Sequence, residues 1–118
     1  MILGLVQAIT EKLQAAGIAA KVDPRNLKPP CAWVSPVNLV EDTLCWDTPS
    51  VELDVILIAP DYGAERAMAA LDKMLKPAML ELAKNGANIQ SVKLDGSATL
   101  SGAGSLPAYI INITATAP

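Results

Sequence analysis

Apolar residues near the start of the chain recur at intervals of three and four. The apolar positions are Ile2, Leu5, Val6, Ile9 and Leu13. Polar residues fill the other side of the helical projection, so this period predicts an amphipathic helix with one face against a core. Gly17 follows, and glycine commonly ends a helix. We therefore expect the first helix to end at this glycine.

The same period returns in the middle of the chain. Its apolar positions are Ala64, Ala67, Met68, Leu71, Leu75, Ala78 and Leu82. Asp61 is a residue type that caps helix N-termini, and the pair Asn85 and Gly86 is a stop signal. Pro77 lies inside this segment, where its ring clashes with the carbonyl of Lys73 and removes a donor. We therefore expect a kink or a break in the second helix at Pro77.

Shorter segments alternate apolar and polar residues, which is the period of β-strands. The clearest covers residues 51–58, with Glu52 and Asp54 on one face and four aliphatic side chains on the other. Further strands are predicted over residues 18–22, 31–35, 37–46, 90–94 and 108–116. Pro36 either ends a strand or bulges it. Residues 23–30 hold three prolines and predict a stiff, extended loop.

The element order is α-β-β-β-β-α-β-β. It predicts an α+β fold with a mixed, mostly antiparallel sheet and both helices packed on one face. The whole chain, residues 1–118, is expected to be a single domain because 118 residues suit one hydrophobic core.

Residues 95–107 read DGSATLSGAGSLP and separate the last two predicted strands. This run of small residues predicts a flexible loop that orders when a neighbour docks on it. The expected docking residues are Gly96, Ser97, Leu100, Gly102 and Gly104. The glycines do not form a dinucleotide-binding motif, because Pro107 stands where the third glycine belongs and a strand follows.

The composition narrows the classes of function. Hydrophobic residues make up 52% of the chain and the mean hydropathy is +0.35, which favours burial of surface between subunits. The chain has no histidine, so it cannot build a Ser-His-Asp triad or a histidine-ligated zinc site. A net charge of -3 argues against general nucleic-acid binding. We expect no catalytic residue, cofactor or metal, and a structural role.

Acidic residues concentrate in the middle of the chain. Seven of the twelve are Glu41, Asp42, Asp47, Glu52, Asp54, Asp61 and Glu65. No lysine or arginine occurs between Pro29 and Glu65, so this region carries a negative field. Three interpretations stand: a solvated sheet face, a surface facing a partner or a DNA passage, or a cation site of Asp47, Glu52 and Asp54.

Two tryptophans and two cysteines accompany the acidic region. Trp33 and Trp46 are either core residues or interface anchors. Cys31 and Cys45 are interpreted as reduced, buried thiols of a cytosolic protein, and a disulfide between them stays open. Neither a signal peptide nor a membrane span is predicted.

Residues 23–34 read DPRNLKPPCAWV and follow the first helix. This segment resembles a D-P-R … P-P-C-x-x-V segment of small tail-assembly proteins from siphophages that infect actinobacteria. The remaining order of a strong strand, a long helix and two final strands is similar to the tail terminator family. The motif covers residues 23–34, while the similarity of layout covers most of the chain.

The resemblance implies a ring, a hexamer in that family, at the head-proximal end of the tail tube. Such a ring stops tube polymerisation and presents a surface to the head–tail connector, and DNA passes through it without specific binding. The expected partners are therefore further copies of the chain, the tail tube protein and the connector. The expected location is the virion, after assembly in the host cytoplasm. Glu41, Asp42, Asp47, Glu52 and Asp54 would face the lumen.

Other classes of function stay open. A head–tail connector or other neck completion protein differs from a terminator only in its partner. A small cytosolic ligand-binding α+β module would instead have a well-formed pocket and form a dimer. A metal-dependent hydrolase would require converging carboxylates and a bound cation.

Overall fold

A computed structural model describes residues 2–23, 25, 27–40, 50–60, 63–100 and 104–116. Its elements follow the chain in this order: α1 (Ile2–Ala15), β1 (Ala20–Lys21), β2 (Cys31–Val40), β3 (Ser50–Ile58), α2 (Ala64–Lys84), β4 (Asn88–Leu100) and β5 (Gly104–Thr116). The predicted α+β class and the order of helices and strands are confirmed. The strands predicted on either side of Pro36 are one strand, and the register shifts between Pro36 and Asn38.

The five strands form one mixed sheet in the order β1-β2-β3-β5-β4. The two-residue strand β1 runs parallel to β2, and the other three strand pairs are antiparallel. The clearest predicted strand, β3, is therefore at the centre, paired on both sides. This position explains why its residues Val55–Ile58 are apolar on both faces.

One face of the sheet carries the main hydrophobic core. Along β3 this inner face consists of Val51, Leu53, Val55 and Leu57, all fully buried. They share one cluster with Leu5 and Leu13 of α1 and with Leu71 and Leu82 of α2, so both helices pack on this face, as predicted. Each such side chain contributes about 1.5–3 kcal/mol when it is fully buried.

Both helices end at the predicted glycines, through the same hydrogen-bond pattern. After α1, Gly17 N–H donates to the Gln14 carbonyl and Ile18 N–H to the Leu13 carbonyl. After α2, Gly86 and Ala87 repeat this arrangement. Both glycines have a positive φ, 88° and 81°, which a residue with a Cβ adopts only under strain.

The start and the middle of α2 differ from the prediction. Gly63 occupies the N-cap position, and Asp61, the predicted cap, lies outside the described residues. The helix runs without a break from Ala64 to Lys84 and includes Pro77, so of the predicted kink or break, the break is wrong. Pro77 and Lys73 are both exposed, and water can solvate the Lys73 carbonyl that has lost its donor. Within the described ranges, neither helix is long and apolar enough to cross a membrane.

The loop predicted over residues 95–107 is the largest error. Strands β4 and β5 continue through it as a hairpin that pairs Gly96–Leu100 with Gly104–Ala108, and only residues 101–103 lie outside the described part. The small residues serve packing instead of mobility. Ala98 and Leu106 are buried, and a Cβ on Gly96 would come within 2.9 Å of Ile110 Cδ1.

Candidate functional site

The sheet face opposite the helices, here called the outer face, combines a polar centre with an apolar end. At its centre, Glu52 and Asp54 lie two positions apart on β3, half-buried on the same side. Asn112 on β5 is the registered partner of Asp54. Its side-chain amide donates to Asp54 Oδ1 at 3.0 Å and to Glu52 Oε1 at 3.3 Å. One amide therefore bridges two carboxylates that would otherwise repel each other.

The apolar end of the outer face is a second, smaller cluster. Its buried members are Cys31, Ile58, Ala98, Leu106 and Ala108. Leu27, Trp33 and Ile56 pack against it and stay half-buried. This outer cluster ties the β4–β5 hairpin to the start of β2 and the end of β3.

Trp33 and Cys31 thus belong to one structural feature. The Trp33 indole Nε1 donates to the Val22 carbonyl at 3.0 Å, which holds the ring against the sheet. Cys31 is a buried thiol, as predicted, and burial raises its pKa to about 11. Its thiol therefore stays protonated and unreactive at neutral pH.

The structure brings together only part of the predicted acidic site. Glu52 and Asp54 meet at the centre of the outer face, whereas Glu41, Asp42, Asp47 and Trp46 lie outside the described residues, as does Cys45. Among the described residues, no three side chains are arranged as metal ligands. Of the predicted cation site, the structure describes Glu52 and Asp54, whose carboxylates the Asn112 amide bridges, and Asp47 lies outside the described residues.

The predicted docking residues occupy strand positions. Gly96, Ser97 and Leu100 belong to β4 and Gly104 begins β5, while Gly102 lies outside the described part of the chain. Gly96 is half-buried, and Ser97 and Gly104 are exposed.

The D-P-R segment that carries the family resemblance has a local structural role. Asp23 accepts a hydrogen bond from the backbone N–H of Arg25 at 2.9 Å, and the Arg25 guanidinium forms an ion pair with the same carboxylate at 2.8 Å. Hydrogen bonds from Arg25 lower the pKa of Asp23 to about 2. Both side chains are exposed, so this pair shapes the loop and adds little stability.

Seven large apolar side chains are exposed among the described residues: Ile2, Leu3, Val37, Leu39, Met68, Leu80 and Leu94. They separate into two groups on opposite edges of the sheet. Val37 and Leu39 lie on β2, beyond the short segment that β1 covers. Met68, Leu80 and Leu94 lie where α2 passes over β4, the strand at the other edge.

Ile2 and Leu3 belong with the β2 group. Leu5 of α1 lines a cavity with Ala115 and Thr116, so the N-terminal half of α1 lies where β5 ends. The register places this point beside Ser50, which pairs with Val40 at the end of β2. The start of α1 and the end of β2 therefore lie at the same end of the molecule. We call Ile2, Leu3, Val37 and Leu39 the β2-edge patch.

The opposite edge is concave. A cavity of about 510 Å³ is lined by Leu75, Met79, Leu80 and Ile89, with Asp72 and Lys76 at its rim. A second cavity of about 320 Å³ continues along α2 and includes Met68 and Leu94. We call the two together the α2–β4 groove. The Tyr109 hydroxyl donates to Asp72 at 3.1 Å, which fastens α2 to β5 beside the groove.

Neither surface follows from the periodicity of the sequence alone. Met68 appears in the predicted apolar stripe of α2 but is 55% exposed. Leu80 lies outside the predicted stripe, and its apolar character on an exposed helix face was the available signal.

A third cavity, of about 350 Å³, lies between the helices. Its apolar lining includes Leu5, Ile9 and Leu82, and Lys12 and Glu81 also line it. This is the cavity that a ligand-binding module would use.

Comparison of the sequence with models of known protein families and with curated protein sequences finds no match.

Proposed function

We propose that the chain is a structural subunit of a siphophage tail, a terminator that assembles as a ring on the tail tube. The resemblance of residues 23–34 and of the element layout motivates this proposal. One structural observation supports it most directly: exposed apolar side chains occupy two opposite edges of the sheet, and the outer face between them is acidic at its centre.

This distribution suits a subunit with a neighbour on each side. Apolar edges gain stability when a neighbour covers them. In a ring joined at the edges, the outer face is free to line a channel. Carboxylates in such a channel repel phosphates, so DNA slides through it and does not bind.

The proposal is tested by measuring how long tail tubes grow in the presence of the chain. Tail tube protein of the phage that encodes this chain is polymerised with and without the purified chain, and lengths are measured by electron microscopy. We expect the chain to sit at one tube end and to stop elongation at a substoichiometric ratio to tube protein. The variant Ala69→Glu should stop elongation as the wild type does, since Ala69 is exposed on α2 and lines neither cavity of the groove. Tubes that keep lengthening beside an excess of chain would refute terminator activity.

Binding to tubes or to heads distinguishes a terminator from the second candidate, a head–tail connector or neck completion protein. A head–tail connector or neck completion protein binds the head vertex and leaves free tubes unaltered. Equal amounts of chain are therefore incubated with isolated tubes and with DNA-filled heads, and each is sedimented. Recovery with tubes supports a terminator, and recovery with heads alone supports a connector.

A further inference from the structure

We propose that Asn85 is a deamidation site, at which the chain converts an asparagine side chain to aspartate or isoaspartate and so weakens the end of α2. Asn85 and Gly86 follow the last residue of the helix and are both exposed, so water reaches them. They supply both reacting groups, and water is the co-reactant. This modification is independent of the proposed function, because it takes place within one chain.

The reaction is an attack of the Gly86 backbone nitrogen on the side-chain amide carbon, Cγ, of Asn85. The bond from this nitrogen to Cγ forms, the bond from Cγ to Nδ2 breaks, and the Gly86 N–H proton leaves with Nδ2 as ammonia. The product is a five-membered succinimide ring. Water then opens the ring, which gives aspartate when it adds at Cγ and isoaspartate when it adds at the Asn85 backbone carbonyl carbon.

The residue after an asparagine controls how closely its own backbone nitrogen can approach Cγ. Gly86 has no Cβ, so its backbone approaches other groups without a steric penalty. The other asparagines of the sequence all precede leucine or isoleucine: Asn26, Asn38, Asn88 and Asn112. These bulky side chains hinder the attack. Asn85 is therefore the asparagine of this sequence at which the reaction is fastest.

In the folded chain, the hydrogen bonds that end α2 engage both reacting groups. Asn85 Nδ2 donates to the Glu81 carbonyl oxygen at 2.7 Å, which draws the side chain back along the helix. The Gly86 N–H donates to the Ala83 carbonyl oxygen at 3.3 Å. Both hydrogen bonds have to open before the nitrogen can reach Cγ. The rate in the folded chain therefore follows the fraction of molecules in which the last turn of α2 is frayed.

The product removes what the asparagine contributes to the end of the helix. Aspartate has no Nδ2 donor, so the Glu81 carbonyl keeps only the hydrogen bond from the backbone N–H of residue 85. Its negative charge lies at the helix C-terminus, where the dipole disfavours it, and beside Glu81 Oε1, which is 3.4 Å from Nδ2. Isoaspartate also lengthens the backbone just before the Gly86 and Ala87 N–H groups that close the helix.

The reaction is followed in the full chain by peptide mass spectrometry after incubation at mildly alkaline pH. Deamidation replaces an amino group by a hydroxyl, which raises the mass of the peptide, and chromatography separates isoaspartate from aspartate. Rates are measured for the folded chain and for the chain unfolded in urea. Asn85→Gln is the blank, because its longer side chain would have to close a larger and less favoured ring.

Two alanine-to-glycine variants test whether the reaction waits for the last turn to open. Ala83 and Ala69 are both exposed on α2, but Ala83 is in its last turn and Ala69 in its first half. Glycine lowers helix stability by about 1 kcal/mol, which makes the open last turn about fivefold more populated in Ala83→Gly. Ala69→Gly is the matched control, and circular dichroism confirms that both variants are folded. If Ala83→Gly does not fold, Lys84→Gly weakens the same turn.

We expect Asn85 to deamidate before the other four asparagines, and at least threefold more slowly in the folded chain than in urea. Ala83→Gly should speed this reaction about fivefold, and Ala69→Gly should leave its rate unchanged. An intact Asn85, earlier deamidation at another asparagine, or equal rates in the folded and the unfolded chain would overturn the proposal. Equal acceleration in both glycine variants would also overturn it, because the reaction would then follow unfolding of the whole chain.

The effect of the product is measured on Asn85→Asp, which carries the aspartate that the reaction leaves. We expect its midpoint of thermal unfolding to lie below that of the wild type, because a carboxylate at the end of α2 faces Glu81 and the helix dipole. The matched control is Asn88→Asp, which adds the same charge at an exposed position outside α2. An Asn85→Asp chain as stable as Asn88→Asp would show that deamidation does not weaken the helix end.

Discussion

At the scale of single residues, Gly96 shows why the hairpin contains so many small side chains. A Cβ at this position would lie 2.9 Å from Ile110 Cδ1 and 3.1 Å from the Ala108 carbonyl oxygen. Gly96→Ala is therefore expected to lower the free energy of unfolding by about 1–3 kcal/mol, because strand β5 or Ile110 must move. Urea denaturation monitored by tryptophan fluorescence measures this change.

The control for this substitution is Gly4→Ala in α1. A Cβ on Gly4 would meet no atom within 4 Å, and alanine favours helix over glycine by about 0.5–1 kcal/mol. Gly4→Ala should therefore raise the free energy of unfolding. A Gly96→Ala variant as stable as the wild type would show that the hairpin is not held closely against β5 at this point.

The buried thiol of Cys31 makes the stability of the chain depend on pH. Its pKa is raised to about 11 in the folded chain because burial disfavours the thiolate, and an unfolded cysteine titrates near 9. The unfolded chain therefore loses this proton first. The stability from Cys31 is complete below about pH 9 and falls by about 2 kcal/mol as the pH rises to 11.

The measurement compares Cys31→Ala with the wild type, both in a Cys45→Ser background. Urea denaturation from pH 8 to pH 11 should show a steeper loss of stability in the chain that retains Cys31. Tyr109, whose pKa is also raised by burial, contributes to both chains and cancels in the difference. Parallel stability curves would contradict the burial of a protonated thiol in the outer cluster.

At the scale of elements, we expect Pro77 to lower the stability of α2 without interrupting the helix. Helix α2 passes through Pro77 without a break, so Pro77→Ala should leave the helical content unchanged. The alanine restores an N–H toward the Lys73 carbonyl and removes a ring clash. We therefore expect the free energy of unfolding to rise by about 1–3 kcal/mol.

Circular dichroism and thermal unfolding of Pro77→Ala test both parts. The control is Lys76→Ala, the neighbouring exposed position, where no backbone donor is gained. A large gain in helical signal for Pro77→Ala would mean that the helix is interrupted in the wild type.

Elements with a strong local period were predictable from the sequence, and elements defined by distant partners were not. The apolar periods of α1 and β3 and the glycine stops at Gly17 and Gly86 all led to correct elements. The β4–β5 hairpin was not predicted, because Gly96 and Ala98 are residue types that are common in loops. Their strand conformation depends on pairing with Ala108 and Leu106.

In the candidate site, too, only the residues that share a local pattern were predictable from the sequence. Alternation along one strand predicted that Glu52 and Asp54 share a face. Asn112, which bridges them, is 58 residues away from Asp54 in the chain, and only the order of the strands in the sheet brings it near. The two apolar edges depend on the same strand order, because an edge exists only once the sheet is assembled.

At the scale of the whole molecule, the two halves of the structure carry different kinds of surface. The helix layer carries charges of both signs: five basic residues, Lys12 on α1 and Arg66, Lys73, Lys76 and Lys84 on α2, and four acidic ones, Glu11, Glu65, Asp72 and Glu81. The centre of the outer face holds the Glu52–Asp54 pair. A ring joined through its edges must turn one of these layers toward its axis. Electrostatic repulsion of DNA phosphates favours the outer face, because its centre carries two carboxylates whereas the charges of the helix layer nearly cancel.

An outer face turned to the axis fixes the orientation of each subunit in the ring. In a reconstruction of the chain on the end of a tail tube, Glu52 and Asp54 should point to the axis and the helices should form the outer wall.

Replacing the carboxylates by amides, in a chain with Glu52→Gln and Asp54→Asn, leaves the groove lining and the apolar side chains of the patch unchanged. Tail length should therefore stay normal, while DNA passage slows, because lost repulsion lets phosphates rest on the wall. Single-particle DNA ejection measures this rate, with Ala69→Glu as the control. Carboxylates on the outer rim of the ring, or ejection at the wild-type rate, would assign the acidic face to another role.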